Sequence, residues 1–216
     1  MKRQTSNIDR IKKSVQARKT PQQARAKDTV EKILKGARTL LQREGRKGLT
    51  AKQLAKESGL STGAIYDHFP GISAVLYQLY EERLNQELRI YQKVYGRDTG
   101  EISIEELIDN HIQEDAAMQW GSKADIELDE AAFNDPQLKT LVEHNQTLKR
   151  DQLVEALKRR HSNATGEQLK ALASYMIELT EVAFRLRHKS DLSEKDLIRS
   201  VTIDLLKRTA QFSDNL

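Results

Sequence analysis

The stretch LTAKQLAKESGLSTGAIYDHF, residues 49–69, decides the fold because it spells two short helices joined by a tight turn. Thr50 and Gln53 have capping-box spacing, in which the Thr50 hydroxyl accepts from the Gln53 amide and the Gln53 side chain reaches back to the Thr50 amide. Gly59 breaks this first helix, and Ser61 is positioned to cap the second. The order predicts a helix-turn-helix, whose second helix enters the major groove of DNA.

The second of these helices has one apolar face and one face left for a partner. Ile65 and Phe69 lie four residues apart and therefore point to the interior together. In the first helix, the small side chain of Ala55 lets the two helices cross closely. The residues left for a partner are Thr62, Gly63, Tyr66 and His68.

Charge is distributed unevenly along the chain. Residues 1–70 hold 17 Lys and Arg against 6 Asp and Glu, whereas residues 71–216 hold 19 against 26, although the formal net charge is only +4. A polyanionic partner is therefore expected at the amino-terminal end alone, with phosphate contacts supplying much of the affinity. For residues 1–19 alone, a disordered solubilising arm is the alternative explanation.

Length and composition are those of an ordinary globular protein. The 216 residues suffice for a sizeable core and for two domains. The chain has no Cys, which excludes disulfide-stapled scaffolds and cysteine-ligated zinc fingers. The basic amino-terminal segment lacks the apolar part of a signal peptide, and no run approaches the roughly 20 apolar residues that span a bilayer. We therefore expect a cytoplasmic protein without a membrane partner.

Apolar residues recur with helical period along most of the chain, and no alternating run is long enough to indicate a sheet. The sequence therefore predicts an all-α protein of about nine helices. The first helix begins at Thr20-Pro21 and ends at Gly45, and a longer one runs from Pro70-Gly71 to about Gly96. Capping signals start further helices at Ser103, Asp135, Thr165 and Ser193.

The helix predicted over residues 166–188 is apolar on two sides, so both sides must be covered. We expect its own core on one side and a second subunit on the other, where the last helix adds a matching stripe. Two such helices from each chain would form a four-helix interface about a two-fold axis. Burial inside a monomer is the alternative. The predicted interface residues are Leu172, Tyr175, Leu179, Val182, Leu186, Leu197, Val201 and Leu205.

The stretch AKDTVEKILKGARTLLQREGRKGLTAKQLAKESGLSTGAIYDHFPGISAVL, residues 26–76, resembles the amino-terminal domain of the tetracycline-repressor (TetR) family. The resemblance covers roughly residues 24–86, and its most specific part is the run from Ser61 to Pro70. It implies a homodimeric, all-helical transcriptional regulator, most often a repressor, whose carboxy-terminal domain binds a small molecule and thereby loosens DNA. It also implies a basic arm (1–23), a helix-turn-helix domain (24–86), and an effector-binding and dimerisation domain (87–216).

The resemblance also implies roles for particular positions. Thr50 and Tyr66 resemble phosphate-contacting residues, and His68 lies where another backbone contact is common. One position departs from the family, since Ile72 stands where a lysine usually opens the next helix. The basic residues Arg18, Lys19, Arg25 and Lys27 would compensate for the lost contact, from the first helix or by entering a groove. The base-facing turn comprises Thr62, Gly63 and Ala64, and Ser61, the cap of the same helix, is also counted among the DNA-binding residues.

In the carboxy-terminal part, His111 and Asp115 fall four residues apart on the apolar side of one predicted helix. They are interpreted either as pocket residues that orient a ligand or as a mutually satisfied pair, and two ligands fall short of a structural metal site. The sequence predicts no metal and no cofactor other than a small organic effector. Further candidates to line a cavity, or alternatively plain core residues, are Met118, Trp120, Phe133, Asn145, Tyr175, Met176 and Phe184.

An enzyme is the competing class. The sequence contains no G-x-S-x-G, no H-E-x-x-H, no phosphate-cradling glycine loop and no cysteine nucleophile. A regulator that is controlled by a protein partner, or that has no effector, is the remaining alternative.

Overall fold

The computed structural model describes residues 24–118, 121–161, 163–189 and 192–212. Arg18, Lys19 and Trp120, which the sequence assigns to DNA or ligand contacts, lie outside these ranges, as do the side chains of Arg25, Phe133 and Phe184. Within these ranges the chain forms nine α-helices, a single 3-10 turn and no strand. The predicted all-α fold is thereby confirmed.

The helices follow one another with short connections. In chain order they are α1 (Ala24–Glu44), α2 (Ala51–Ser58), α3 (Thr62–His68), α4 (Ile72–Val94), α5 (Ile104–Ala117), α6 (Lys123–Asn134), α7 (Pro136–Lys158), α8 (Gly166–Lys189) and α9 (Leu192–Phe212), with the 3-10 turn Arg46–Gly48 between α1 and α2. None of these helices is long and apolar enough to cross a membrane.

The chain divides into two compact units. The first runs to residue 84 and resumes over residues 121–144, and the second comprises residues 85–120 and 145–216. The sequence predicted one boundary, after residue 86. The first unit instead takes in a second segment of chain, which carries α6 and the start of α7.

The core of the first unit is built on the apolar face of α1. Ile33, Leu40 and Leu41 are fully buried there, together with residues of α2 to α4 and of α6. Gly36 lies where α1 meets α2, because a Cβ at this position would stand 3.3 Å from the Ser58 backbone nitrogen. Close crossing of α1 and α2 therefore depends on Gly36. Ala55, which is predicted to let α2 and α3 cross closely, is also buried.

The second unit buries residues from α4, α5, α7, α8 and α9 in a separate core. Two of its helix starts follow the predicted signals, whereas α9 begins at Leu192, before the predicted cap Ser193. Thr165 and Gln168 form both halves of a capping box before α8, with distances of 3.2 Å and 2.7 Å. The Ser103 side chain accepts from the Glu106 amide at 3.1 Å before α5. These caps satisfy amides that have no partner within the helix.

Helix α6 was not predicted from the sequence as a separate element. It begins with a capping box in which the Ser122 side chain accepts from the Asp125 amide at 3.2 Å and the Asp125 carboxylate accepts from the Ser122 amide at 3.0 Å. The usual signal places Glu or Gln three residues after the cap. Asp at that position is the sequence feature that would have revealed this helix.

Candidate nucleic-acid interface

The first helix of the predicted motif, α2, begins at the predicted cap. The Thr50 hydroxyl accepts from the Gln53 amide at 3.2 Å. The second half of the predicted capping box is wrong, because the Thr50 amide donates to the Gly48 carbonyl at 3.0 Å. The Gln53 side chain accepts from the Thr50 hydroxyl and donates to Glu44 instead, at 2.9 Å in each case. The side chain of Gln53 therefore ties α2 to the end of α1.

The turn between α2 and α3 has the predicted geometry. Gly59 adopts a left-handed conformation with φ of 67°, which glycine reaches without steric cost. The following amide, of Leu60, donates to the Ala55 carbonyl at 3.0 Å. The Ser61 hydroxyl then caps α3 by accepting from the Ala64 amide at 3.1 Å. The chain thus forms the predicted helix-turn-helix.

Helix α3 presents one face to the solvent. Ile65 and Phe69 are almost fully buried, as predicted. On the other face Tyr66 keeps 45% of its surface exposed, and Ala64 is half-buried. Thr50, Ser61, Thr62 and Gly63 are also exposed. These exposed residues of α2 and α3, which we call the exposed edge, are available to a partner.

His68 is the exception among the predicted DNA contacts. The sequence left it for a partner, but its side chain is only 8% exposed. It lies three residues after Ile65 and one before Phe69, so helical geometry places it on the buried face. Its Nδ1 atom is buried and has no hydrogen-bond partner in the described part of the chain. The prediction that His68 faces outward is therefore wrong.

Three exposed lysines, which sequence reasoning did not single out, flank this edge. Lys47 follows α1, and Lys52 and Lys56 lie four residues apart on α2. No carboxylate in the described ranges forms an ion pair with any of the three. Two arginines of α1 are already engaged, since Arg38 pairs with Glu82 at 2.5 Å and Arg43 with Glu57 at 2.9 Å. The unpaired lysines favour an anionic partner.

Ile72 stands where the resemblance to the TetR family leads us to expect a lysine. Its side chain is half-buried and packs against the core of the first unit at the start of α4. A charged group at this place would lose hydration. The residue contributes to the core, not to the charge of the interface.

Residues 33–79 match the family model of "Bacterial regulatory proteins, tetR family". This range contains the whole helix-turn-helix described above, with its caps and its exposed edge. Residues 33–79 are therefore a TetR-family domain, which is the DNA-binding part of bacterial transcriptional regulators.

Solved structures show the same fold along most of the chain. A protein of Mesorhizobium loti assigned to the TetR family has a TM-score of 0.70 at 15% identity, covering 88% of this chain and 98% of that one. A TetR-family transcriptional regulator from Streptomyces coelicolor has a TM-score of 0.57 at 16% identity, covering 85% and 95%. The multidrug binding protein EbrR, complexed with malachite green, has a TM-score of 0.59 at 15% identity, covering 83% and 96%. No curated protein matches the chain.

The second unit buries a polar cluster. Lys149 on α7 is 3% exposed, and its Nζ atom lies 2.8 Å from a carboxylate oxygen of Glu87 and 3.3 Å from one of Glu181. The same ammonium group stands 5.6 Å from the centre of the Tyr91 ring. One buried cation is therefore shared by two carboxylates and an aromatic face, an arrangement that offsets part of its lost hydration.

His111 joins this cluster through two aromatic rings. The centre of its ring is 4.7 Å from that of Tyr91 and 5.4 Å from that of Tyr95. Its Nδ1 atom is buried and accepts or donates no hydrogen bond among the described residues. Burial, with the nearby Lys149 charge, lowers the pKa of His111 to about 4. The imidazole is therefore neutral at physiological pH.

The ionisation of the neighbouring groups follows from the same surroundings. Burial opposes the charge of Lys149, but the carboxylates of Glu87 and Glu181 outweigh it, and the pKa of Lys149 is raised. Burial raises the pKa of Tyr91 to about 12 and also raises that of Tyr95. The cluster thus holds a charged lysine beside neutral phenols and a neutral imidazole.

The structure gathers some of the predicted ligand residues and separates others. His111 and Asn145 are largely interior, and Met176 belongs to the core. Asp115 is half-buried, whereas Met118 is 38% and Tyr175 57% exposed. Sequence reasoning missed Lys149. The available signal was its spacing, because it continues the buried stripe of α7 that comprises Leu138, Leu141, Asn145, Leu153 and Ala156.

A cleft of about 670 Å³ lies in the first unit, open to solvent. Arg46, Pro70, Asp135 and Gln137 are among its lining residues, and none of the predicted ligand residues contributes to it. Among the described residues, no three His, Asp or Glu side chains are grouped so that they could hold a metal ion.

The predicted subunit-interface residues leave an apolar stripe on α8 and α9. Tyr175, Val182 and Leu186 are exposed along α8, and Leu197, Val201 and Leu205 along α9. These six include the most exposed large apolar side chain described, Leu197, at 64%. Leu172 and Leu179 are partly buried against the core of their own unit. The described residues thus leave apolar side chains of α8 exposed on a side away from the core, and the second subunit expected there stays a prediction.

Proposed function

We propose that this TetR-family regulator is a homodimeric repressor that binds a pseudo-palindromic operator and is released from it by a small-molecule effector. In this proposal residues 24–86 read DNA and residues 87–216 bind the effector and form the dimer. The observation that carries the proposal is the exposed edge of α2 and α3, flanked by unpaired lysines in the basic part of the chain.

The residues of this edge divide by chemistry into two groups. Thr50, Tyr66 and the flanking lysines suit the phosphate backbone, because hydroxyl and ammonium groups bind phosphate oxygens without regard to sequence. Thr62, Gly63 and Ala64 suit base edges, because they lie at the start of the helix that enters the groove. The arm residues Arg18, Lys19 and Arg25 are proposed as additional contacts. His68, whose side chain is buried, is not among the proposed contacts.

The dimer is supported by the apolar stripe on α8 and α9, since large exposed apolar surfaces mark interaction sites. A two-fold axis through this stripe would make each helix face its own copy. Two recognition helices placed about 34 to 36 Å apart would then reach successive major grooves. The matching operator would carry an inverted repeat.

The effector is supported by two observations. The second unit buries a polar and aromatic cluster around Lys149 and His111, and polar groups in an apolar interior orient ligands in many proteins. EbrR, which shares the fold, is a multidrug binding protein complexed with malachite green. A ligand would release DNA only if it binds more tightly to the arrangement that cannot engage both half-sites.

Selection of bound duplexes from a random pool, at a fixed salt concentration, tests two parts of the proposal together. These are DNA recognition by the helix-turn-helix and the two-fold symmetry of the dimer. We expect an enriched inverted repeat whose half-sites are about one helical turn apart. Affinity for it should fall steeply as salt rises. Recovery of unrelated sequences with no enrichment, even at low salt, would contradict the proposal.

A thermal-shift screen against small molecules tests the effector separately, because a ligand that binds only the folded form raises the melting temperature. A hit must then weaken binding to the selected duplex. If no compound does both, control by a protein partner, or the absence of an effector, is favoured.

A further inference from the structure

Glu127 reaches from α6 to the segment that leads into the helix-turn-helix. One oxygen of its carboxylate accepts a hydrogen bond from the Arg46 backbone amide at 2.7 Å. A carboxylate that accepts from a backbone amide forms a charge-assisted bond, which is shorter and stronger than a neutral one. The two residues are 81 positions apart in sequence, so this contact exists only through the tertiary structure.

The segment that Glu127 holds is a tight turn. Its bonds join the Gly48 amide to the Gly45 carbonyl, the Leu49 amide to the Arg46 carbonyl and the Thr50 amide to the Gly48 carbonyl, at 3.0 to 3.1 Å. Gly48 and Leu49 are buried, whereas Arg46, Lys47 and Thr50 are exposed. The turn therefore buries Gly48 and Leu49 and leaves the cations of Arg46 and Lys47 and the Thr50 hydroxyl exposed.

Gly45 is shaped to admit the carboxylate. Its φ is 72°, and a Cβ added to it would overlap the Glu127 carboxylate. Only glycine both adopts this backbone conformation readily and leaves room for the acceptor. Gly45 therefore leaves the space at the end of α1 in which the Glu127 carboxylate binds the Arg46 amide.

Helix α6 is itself fixed against the same end of α1. The Ala124 amide donates to the Gln42 side chain at 3.0 Å, and the Lys123 ammonium group donates to the Arg43 carbonyl at 3.3 Å. Leu128 and Ala131 on this helix are buried in the core of the first unit. These contacts hold α6 against α1 and thereby position the Glu127 carboxylate at the end of α1.

We propose that Glu127 is a positioning residue for the DNA interface: by holding the Arg46 amide, it sets the turn that presents Lys47 and Thr50 to phosphate. The proposal rests on the DNA-binding function proposed above. A carboxylate close to a phosphate-binding surface lowers the affinity for DNA through charge repulsion. The hydrogen bond that Glu127 accepts from the Arg46 amide would offset this cost by fixing the turn. Variants that remove the charge and the hydrogen bond separately therefore test the proposal.

The experiment measures the affinity of full-length variants for the duplex that the wild type selects from the random pool. Glu127→Ala removes the acceptor, and Glu127→Asp retracts the carboxylate by about 1.5 Å. Glu127→Gln keeps an acceptor oxygen and removes the charge. Glu130→Ala on the exposed side of α6 is the matched control for loss of a glutamate. Hydrogen exchange at the Arg46 amide, measured without DNA, is the second readout.

The proposal expects Glu127→Ala and Glu127→Asp to weaken binding about tenfold, which is what one charge-assisted hydrogen bond contributes. Both should speed exchange at the Arg46 amide. Glu127→Gln and Glu130→Ala should bind at least as tightly as the wild type. Wild-type affinity in Glu127→Asp, or a loss in Glu127→Gln equal to that in Glu127→Asp, would overturn the proposal. If the wild type itself selects no sequence, the proposed function fails instead.

Discussion

Lys149 is the least expected single residue of this molecule, because an ammonium group that is 3% exposed stands between two carboxylates inside a helical unit. Ion pairs in such places contribute little net stability, since the loss of hydration offsets most of the attraction. They do, however, favour one packing of the helices that carry them. In this chain those helices are α4, α7 and α8, which the ion pairs of Lys149 join.

His111, beside this cluster, should make stability depend on pH. Its imidazole stays neutral in the folded protein down to about pH 4, whereas in the unfolded chain it takes up a proton below about pH 6.5. The unfolded state therefore binds more protons between these values, and stability falls as the pH falls from about 6.5 towards 4. Lys149 disfavours the added proton, and Glu87 partly opposes that effect.

Urea denaturation at pH 7 and pH 4.5 measures this contribution. Between pH 7 and pH 4.5, the free energy of unfolding of His111→Asn should fall by about 2 kcal/mol less than that of the wild type. His144→Asn, which removes a histidine from the other unit, should lose as much as the wild type. Equal losses in the wild type and in His111→Asn would show that the imidazole is not kept neutral by burial.

Tyr66 and Thr62 should affect DNA binding in different ways. Tyr66→Ala removes a phosphate contact and should weaken binding to all duplexes by a similar factor, whereas a Thr62 substitution should change which base is preferred at one position. Competition binding with single-base variants of the selected duplex separates the two effects. The division is refuted if both variants lose the same affinity on every duplex.

Short helices depend on their caps more than long ones do, and α3 has only seven residues. Few of its amides have a partner within the helix, and the Ser61 hydroxyl satisfies that of Ala64 at 3.1 Å. Helix α2, with eight residues, likewise depends on Thr50 and on the left-handed Gly59. The reading helix is thus held in place by local polar bonds as well as by Ile65 and Phe69.

Ser61→Ala should destabilise α3 by about 1 kcal/mol, because the Ala64 amide loses its acceptor. In a chain of this size such a loss lowers the melting temperature by about 2–4 °C. Ser61→Asn keeps a side-chain acceptor and should melt close to the wild type. If the two variants melt alike, the cap contributes nothing and the stability of α3 comes from packing alone.

At the scale of the whole molecule, α8 and α9 carry an exposed apolar stripe. Six large apolar side chains lie along these two helices with their surfaces uncovered. Burying these side chains against a second copy would stabilise a dimer, because each Å² of apolar surface removed from water contributes about 25 cal/mol. The apolar stripe and the basic amino-terminal end therefore suggest separate partners for separate parts of the chain.

Val201→Glu should convert the dimer into a monomer, because two buried like charges would face each other across the two-fold axis. Light scattering coupled to size exclusion at micromolar concentration measures the mass. Arg199→Glu, two residues away on α9, makes a larger charge change at an exposed site and should stay dimeric. A monomeric wild type would rule out the proposed interface.

The sequence alone determined the features that depend on neighbours along the chain. Caps at Thr50 and Ser61, the break at Gly59, and the apolar stripes of α8 and α9 are set by residues three or four positions apart. Such spacing directly encodes which face of a helix is apolar and where a helix begins. The helix-turn-helix and its charged surroundings therefore follow from residues 49–69 and from the basic composition of residues 1–70.

Only the tertiary structure decided which distant residues meet. It joined Glu127 to Arg46, placed Lys149 between Glu87 and Glu181, and directed the Gln53 side chain to Glu44. Nothing in local periodicity selects these partners, because the order in which helices pack depends on shape and charge across the whole core. A buried lysine in an apolar stripe signals that a partner exists, and only the packed helices identify it.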